Sequence, residues 1–239
     1  MNCQESDMKE NLVIVRSKIE KAAFRAGRNP GDIKIIAVTK TIKPDRMNKV
    51  LEHGIMDLGE NRVQELCEKY DNIKEGYNWH LIGHLQTNKV KYIINKVNMI
   101  HSVDRIELAG EIQRRAQKAG RVMDVLIQVN IAEEESKFGI SSNQAMNLIK
   151  EISCFENLKV RGLMTIAPYA QNPEDVRCVF SELRKLLIDI GKENIDNINM
   201  DCLSMGMSND YEVAVEEGSN LVRIGTAIFG KRPNPVGSL

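Results

Sequence analysis

Eight short apolar runs recur along this chain at near-regular intervals: IKIIAV (33–38), IMDLG (55–59), NWHLIG (78–83), MIHSV (99–103), MDVLIQVN (123–130), LKVRGLM (158–164), INMDCL (198–203) and NLVRIG (220–225). Each has the length of a strand. Between them apolar residues return at three- and four-residue spacing, as in Val63, Leu66, Cys67 and Tyr70, or Val176, Val179, Phe180, Leu183, Leu186, Leu187 and Ile190. That is the spacing of a helix with one buried face. Strands alternating with helices imply a parallel sheet covered by helices, and eight such units predict a closed (β/α)8 TIM barrel. An open doubly wound sheet is the rival, but no GxGxxG follows the first run, which removes one reason to prefer it. An additional helix is expected ahead of the barrel, where Leu12, Val15, Ile19, Ala22, Ala23 and Ala26 recur until Gly27 and the Asn29-Pro30-Gly31 stop. No Pro/Gly/Ser-rich linker divides the chain, so residues 1–239 are expected to form one domain.

Charge and cysteine content exclude several classes. Lys plus Arg and Asp plus Glu are balanced at 33 each, so no global field recruits nucleic acid or an anionic membrane surface. The N-terminus lacks the apolar core of a signal peptide, and no apolar run approaches the eighteen or so residues that span a bilayer. A cytoplasmic location is expected. The five cysteines show no CxxC spacing and read as reduced, small apolar residues.

In a barrel of this kind the functional residues gather at the carboxyl ends of the strands. Here those ends carry Thr39-Lys40, Glu60-Asn61-Arg62, His84, Ser102, Asn130, Thr165, Ser204 and Gly225-Thr226. They are expected to ring one mouth. The turns at 204–208 and 225–226 follow the seventh and eighth strands, where the fold builds its common phosphate site from backbone amides. The alternative is that these small residues only turn the chain. Lys40 ends the first strand, so it is either a solvated lysine or an amine whose partial desolvation frees it as a nucleophile. His80 and His84 are four apart, which suggests shared metal ligation only on a helix. Along a strand they would lie roughly 13 Å apart, so no metal site is expected. His84 is placed to face a ligand, whereas His53 and His101 read as structural or surface residues.

The segments AVTKTIKP, LGENRVQE, WHLIGHLQTNKV, IHSVDR, VLIQVNIAEEESKFG, GLMTI and LSMGMSNDYEVAVEEGSNLVRIGTAIFG resemble, in order, the signatures of the pyridoxal phosphate homeostasis proteins, the YggS/PROSC family. The resemblance runs from about residue 33 to residue 231. It implies a barrel similar to the barrel half of bacterial alanine racemase, pyridoxal 5'-phosphate as cofactor, and no established catalytic turnover. Lys40 would be the Schiff-base lysine. Ser204, Gly225 and Thr226 would hold the phosphate, Arg223 would face the pyridine nitrogen, and Asn61 would lie nearby. The chain has AVTK where the family usually has AVSK, a change that leaves the assignment intact.

Two functional classes stay open. One is a protein that carries or buffers the cofactor, with apo-enzymes that use it as candidate recipients and a monomer as the expected state. The other is an amino-acid racemase. Racemases on this barrel take a second base, a tyrosine, from a partner subunit's additional β-domain; this chain stops at Leu239, so none is expected here. Tyr70 fits a buried helix stripe, and Tyr77, Tyr92, Tyr169 and Tyr211 lie outside the strand-end motifs. The carrier is therefore the expectation.

Overall fold

A computed structural model describes residues 3–134 and 136–230, with side chains from residue 7 onward. Eight parallel strands close in chain order: β1 (Lys34–Val38), β2 (Asp57–Glu60), β3 (Asn78–Leu81), β4 (Met99–Val103), β5 (Met123–Gln128), β6 (Leu158–Met164), β7 (Ile198–Ser204) and β8 (Leu221–Ile224). Pairing of β1 with both β2 and β8 seals the sheet. Each strand falls within two residues of its expected ends, and the barrel replaces the open-sheet alternative.

The helices are α1 (Cys3–Arg25), α2 (Pro44–Glu52), α3 (Val63–Tyr70), α4 (Val90–Ile93), α5 (Ile106–Lys118), α6 (Ser142–Ile152), α7 (Arg177–Lys192), α8 (Tyr211–Glu216) and α9 (Thr226–Phe229). Pro44 opens α2, where its missing N–H costs nothing. After β3, Val90, Ile93, Ile94 and Val97 recur at helical spacing; the α-helix covers only Val90–Ile93, yet Ile94 and Val97 beyond it are also buried. There the apolar spacing encodes burial rather than helix length.

Two apolar layers hold the barrel. The larger lies between strands and helices and includes Leu58, Leu66, Ile93, Leu108 and Phe180, all fully buried. The smaller gathers Ile36, Met99, Leu126, Met164 and Leu221 from five strands and no helix, which places it inside the barrel. Gly162 sits where the pairing of β6 with β7 shifts register. Its φ of +148° and a Cβ that would stand 1.9 Å from the Cys202 carbonyl oxygen demand glycine.

The expected stripe of α1 from Leu12 to Ala23, joined by Met8, is buried against α8 and α9, whereas Ala26 lies just past the helix and is only partly buried. Asn11 donates to the Ile228 carbonyl, Arg28 to those of Val215 and Ser219, and Arg25 pairs with Glu216 at 2.6 Å. The leading helix thus pins the segment that carries Gly225 and Thr226.

Candidate functional site

Lys40 lies two residues beyond β1, on the same alternation as the barrel-facing Ile36. It is partly exposed and has no hydrogen bond or ion pair among the described residues. The backbone around it is tightly held. Lys69 of α3 donates to the Thr39 carbonyl at 2.7 Å and to Glu60 and Glu65 at 2.6 Å each. Glu65 also accepts from the Thr41 amide, and Thr41 occupies the left-handed region at φ 67°. Burial raises the Glu60 carboxyl above its usual range, against the pull of Lys69 and the Thr39 hydroxyl. Lys40 therefore projects from a rigid base.

On β8, the strand paired with β1, Arg223 is buried and donates to Ser204 Oγ at 2.6 Å and to the Thr165 carbonyl at 2.8 Å. No carboxylate among the described residues lies within ion-pairing distance of it. Burial lowers its pKa to about 10, with Asp210 opposing, so it stays charged at neutral pH. The turn after β7 brings a second polar cluster. Gly206 has φ +88°, and a Cβ there would stand 2.5 Å from that of Ala214, so only glycine makes this bend. Beyond it Ser208 Oγ accepts from the amides of Gly225 and Ala227, both at 3.2 Å. Two backbone donors converge on one oxygen.

The expected ring of polar strand ends is only partly realised. Thr39, Glu60 and Thr165 are buried, with Thr39 bonded to Glu60 and Thr165 to the Val129 carbonyl. Ser102 is also buried, and its hydroxyl has no partner among the described residues. Asn130 folds back onto the Glu134 carbonyl. The Ser204 hydroxyl is fully buried, between Arg223 and His101. Ser208 is the hydroxyl that sequence reasoning passed over, although it lies in the same small-residue turn. Gly225 and exposed Thr226 do open α9 as expected.

Asn61 and His84 line a neighbouring cleft of about 1020 Å³, together with Lys43, Arg62 and Lys89, whereas Lys40 and the turns lie outside its walls. His84 stacks on Phe138 with ring centroids 3.8 Å apart. Its Nδ1 is 3.6 Å from Asp104, too far for a hydrogen bond. His101, read from the sequence as structural or surface, is fully buried, bonded to His80 and Ser204. Lys69 also escaped notice; its signal was its place three residues beyond Leu66 on the apolar stripe of α3. Among the described residues no metal-binding cluster occurs, and no helix is long and apolar enough to cross a membrane. The described cysteines are free.

The sequence matches the family described as alanine racemase, N-terminal domain, over residues 11–233. The pyridoxal phosphate homeostasis protein of Aquifex aeolicus (strain VF5) is 48% identical over 224 residues, 93% of this chain and 97% of its own. PipY of Synechococcus elongatus PCC7942, solved with PLP bound, superposes with a TM-score of 0.82 at 29% identity, over 93% of this chain and 100% of its own. Alanine racemase of Clostridium difficile 630 shares the fold, with a TM-score of 0.70 at 19% identity over 96% of this chain and 57% of its own. The 48% identity to the Aquifex protein over nearly the full length of both chains places this chain in the pyridoxal phosphate homeostasis protein family.

Proposed function

We propose that this protein binds pyridoxal phosphate in the barrel mouth and holds it for release, without turning over a substrate. When bound, this group supplies an aldehyde that an amine can capture, a ring nitrogen and a phosphate dianion. The residues present fit those three parts. Lys40, an unpaired amine on a rigid base, would hold the aldehyde carbon. The amides of Gly225 and Ala227, with the hydroxyls of Ser208 and Thr226, would hold the phosphate. Arg223 would face the ring nitrogen, with Asn61 and His84 beside the ring. The observation that carries this reading is the convergence of the Gly225 and Ala227 amides on Ser208 Oγ, in the turn that begins two residues beyond the buried, carboxylate-free Arg223. Such a site favours a dianion.

The same arrangement supports a carrier over a catalyst. Arg223 only donates hydrogen bonds and keeps its proton, so a ring nitrogen facing it stays unprotonated and the ring remains a weak electron sink. Tyr77 bonds to the backbone of α2 and Tyr169 is 85% exposed; neither is placed as a second base. We take the described residues as one functional unit, because α1 shares its core with α8 and α9. Apo-enzymes that need the cofactor are the proposed recipients.

The test is the visible spectrum of the purified protein with added pyridoxal phosphate. A protein-bound band should form with wild type and be lost in Lys40→Ala. Borohydride reduction and peptide mapping should place the pyridoxyl group on Lys40, and a label on another lysine refutes the assignment. In deuterated water, L-alanine should gain little α-deuterium. Turnover on the order of 1 per second or more, the range of ordinary enzymes, would establish a catalyst instead.

A further inference from the structure

Four side chains link Arg223 to the opposite end of the barrel. Arg223 Nη1 donates to Ser204 Oγ at 2.6 Å, and Ser204 Oγ lies 2.9 Å from His101 Nδ1. His101 Nε2 is 2.9 Å from His80 Nδ1, and His80 Nε2 is 2.9 Å from Asp57 Oδ1. Asp57 begins β2 and, with His80, lines a polar cavity of about 400 Å³ at the amino ends of the strands. The chain thus runs from the amino-terminal end of the sheet to the mouth. We infer that Asp57, His80, His101 and Ser204 form a hydrogen-bonded wire that orients the Arg223 guanidinium from the far end of the barrel.

The chemistry of the two ends sets the direction of every proton. A guanidinium only donates, and an ionised carboxylate only accepts. With Arg223 donating to it, Ser204 passes its own proton to His101 Nδ1. His101 then carries its proton on Nε2 and donates to His80 Nδ1, and His80 carries its proton on Nε2 and donates to Asp57. The reverse order would aim two donors at Ser204 and leave its proton without an acceptor among the described residues. Ionisation agrees with this order. Burial holds His101 well below the usual histidine range, so its ring is neutral and donates from one nitrogen only. Burial would raise Asp57, but the His80 hydrogen bond and nearby Lys34 outweigh it, and the net shift is downward. The other charges around the lower end are Asp32, Asp124, Asp201 and Arg161, with Arg161 paired to Asp124 and Asp201. At the upper end Asp210 supports the Arg223 charge. His101, His80 and Asp57 are accordingly positioning residues, and only the last link, Arg223 to the ring nitrogen, rests on the functional reading above.

Nitrogen-15 NMR of histidine- and arginine-labelled protein without cofactor tests the wire directly. In wild type both His80 and His101 should be protonated on Nε2, and the Arg223 Nη–H signals should be resolved and slow to exchange. The opposite tautomer on either ring overturns the inference. In His80→Leu, His101 Nε2 loses its acceptor, so its single tautomer should be lost and the Arg223 signals should broaden. Unchanged His101 and Arg223 signals in a folded His80→Leu protein would equally overturn it; should that variant not fold, the wild-type tautomers alone decide. With pyridoxal phosphate bound, His80→Leu should also shift the visible band. If the NMR changes occur while the band stays fixed, the wire stands and the placement of Arg223 at the ring nitrogen falls.

Discussion

Replacing Lys69 with methionine would leave two carboxylates facing a pocket without its cation. In the native protein the Lys69 side chain is 9% exposed and that of Glu60 is fully buried. Glu60 Oε2 already lacks a partner among the described residues, so Lys69→Met would leave this carboxylate with the Thr39 hydroxyl alone. Breaking a buried pair from one side costs about 3–5 kcal/mol, a large share of the roughly 5–15 kcal/mol that stabilises a typical domain. At about 2–4 °C per kcal/mol for a chain of this size, the midpoint should fall by about 6–20 °C. The sign with pH follows from Glu60. Its folded pKa is already raised and rises further without Lys69, so the folded state binds more protons than the unfolded chain between the two values. Stability is then regained as pH falls through the folded value and lost as pH rises. Urea unfolding at several pH values should show a deficit that shrinks below neutrality. Glu60→Met combined with Lys69→Met should recover to within about 1–2 kcal/mol of wild type, because a well-packed apolar pair often matches a buried ion pair. A deficit below about 1 kcal/mol, or one independent of pH, refutes the argument that this cluster is the rigid base of Lys40.

Three further outcomes are expected. Pyridoxal phosphate should bind far more tightly than pyridoxal, and Ser208→Ala should lose about tenfold to a hundredfold in affinity, the value of one charge-assisted hydrogen bond; Thr226→Ala, which keeps its amide, should lose less, and equal affinities for the two ligands would dismiss the phosphate cradle. Gly206→Ala should cost about 2–4 kcal/mol from positive φ and overpacking together, and a urea midpoint equal to wild type would contradict the close contact with Ala214. Because His101 is held neutral by burial, the unfolded chain takes up a proton below about pH 6.5 that the folded protein refuses. Its contribution to stability should therefore fall on acidification by up to about 1.4 kcal/mol per pH unit, and His101→Phe should flatten that part of the urea-unfolding profile; an identical slope in both proteins would exclude it.

Much of this could be read without coordinates because it depends on local periodicity. An apolar run of five to eight residues between helical stripes has few folded alternatives, so all eight strands and the leading helix were legible, and Lys40 and Gly225 were located at strand ends by counting alone. The polar ends were less legible. Thr39 and Lys40 are adjacent, yet one is buried and bonded to Glu60 beside α3 while the other is partly exposed and unpaired among the described residues; neighbouring side chains in extended backbone point to opposite faces.

The amino-acid sequence by itself determined the barrel, the order of its units and the placing of an amine and two small-residue turns at the same ends of the strands. Only the tertiary structure decided which polar groups meet. His80 and His101 are 21 residues apart and His101 and Ser204 are 103 apart, and no short pattern joins them. Their contact depends on the register of all the strands, which is set when β1 closes on β8. The same closure turns Ser204 toward Arg223, leaves Ser208 at the amides, and draws Lys69 beneath the backbone of Lys40. A hydrogen bond needs its partners placed to within tenths of an ångström, and that precision exists only once the whole sheet is closed.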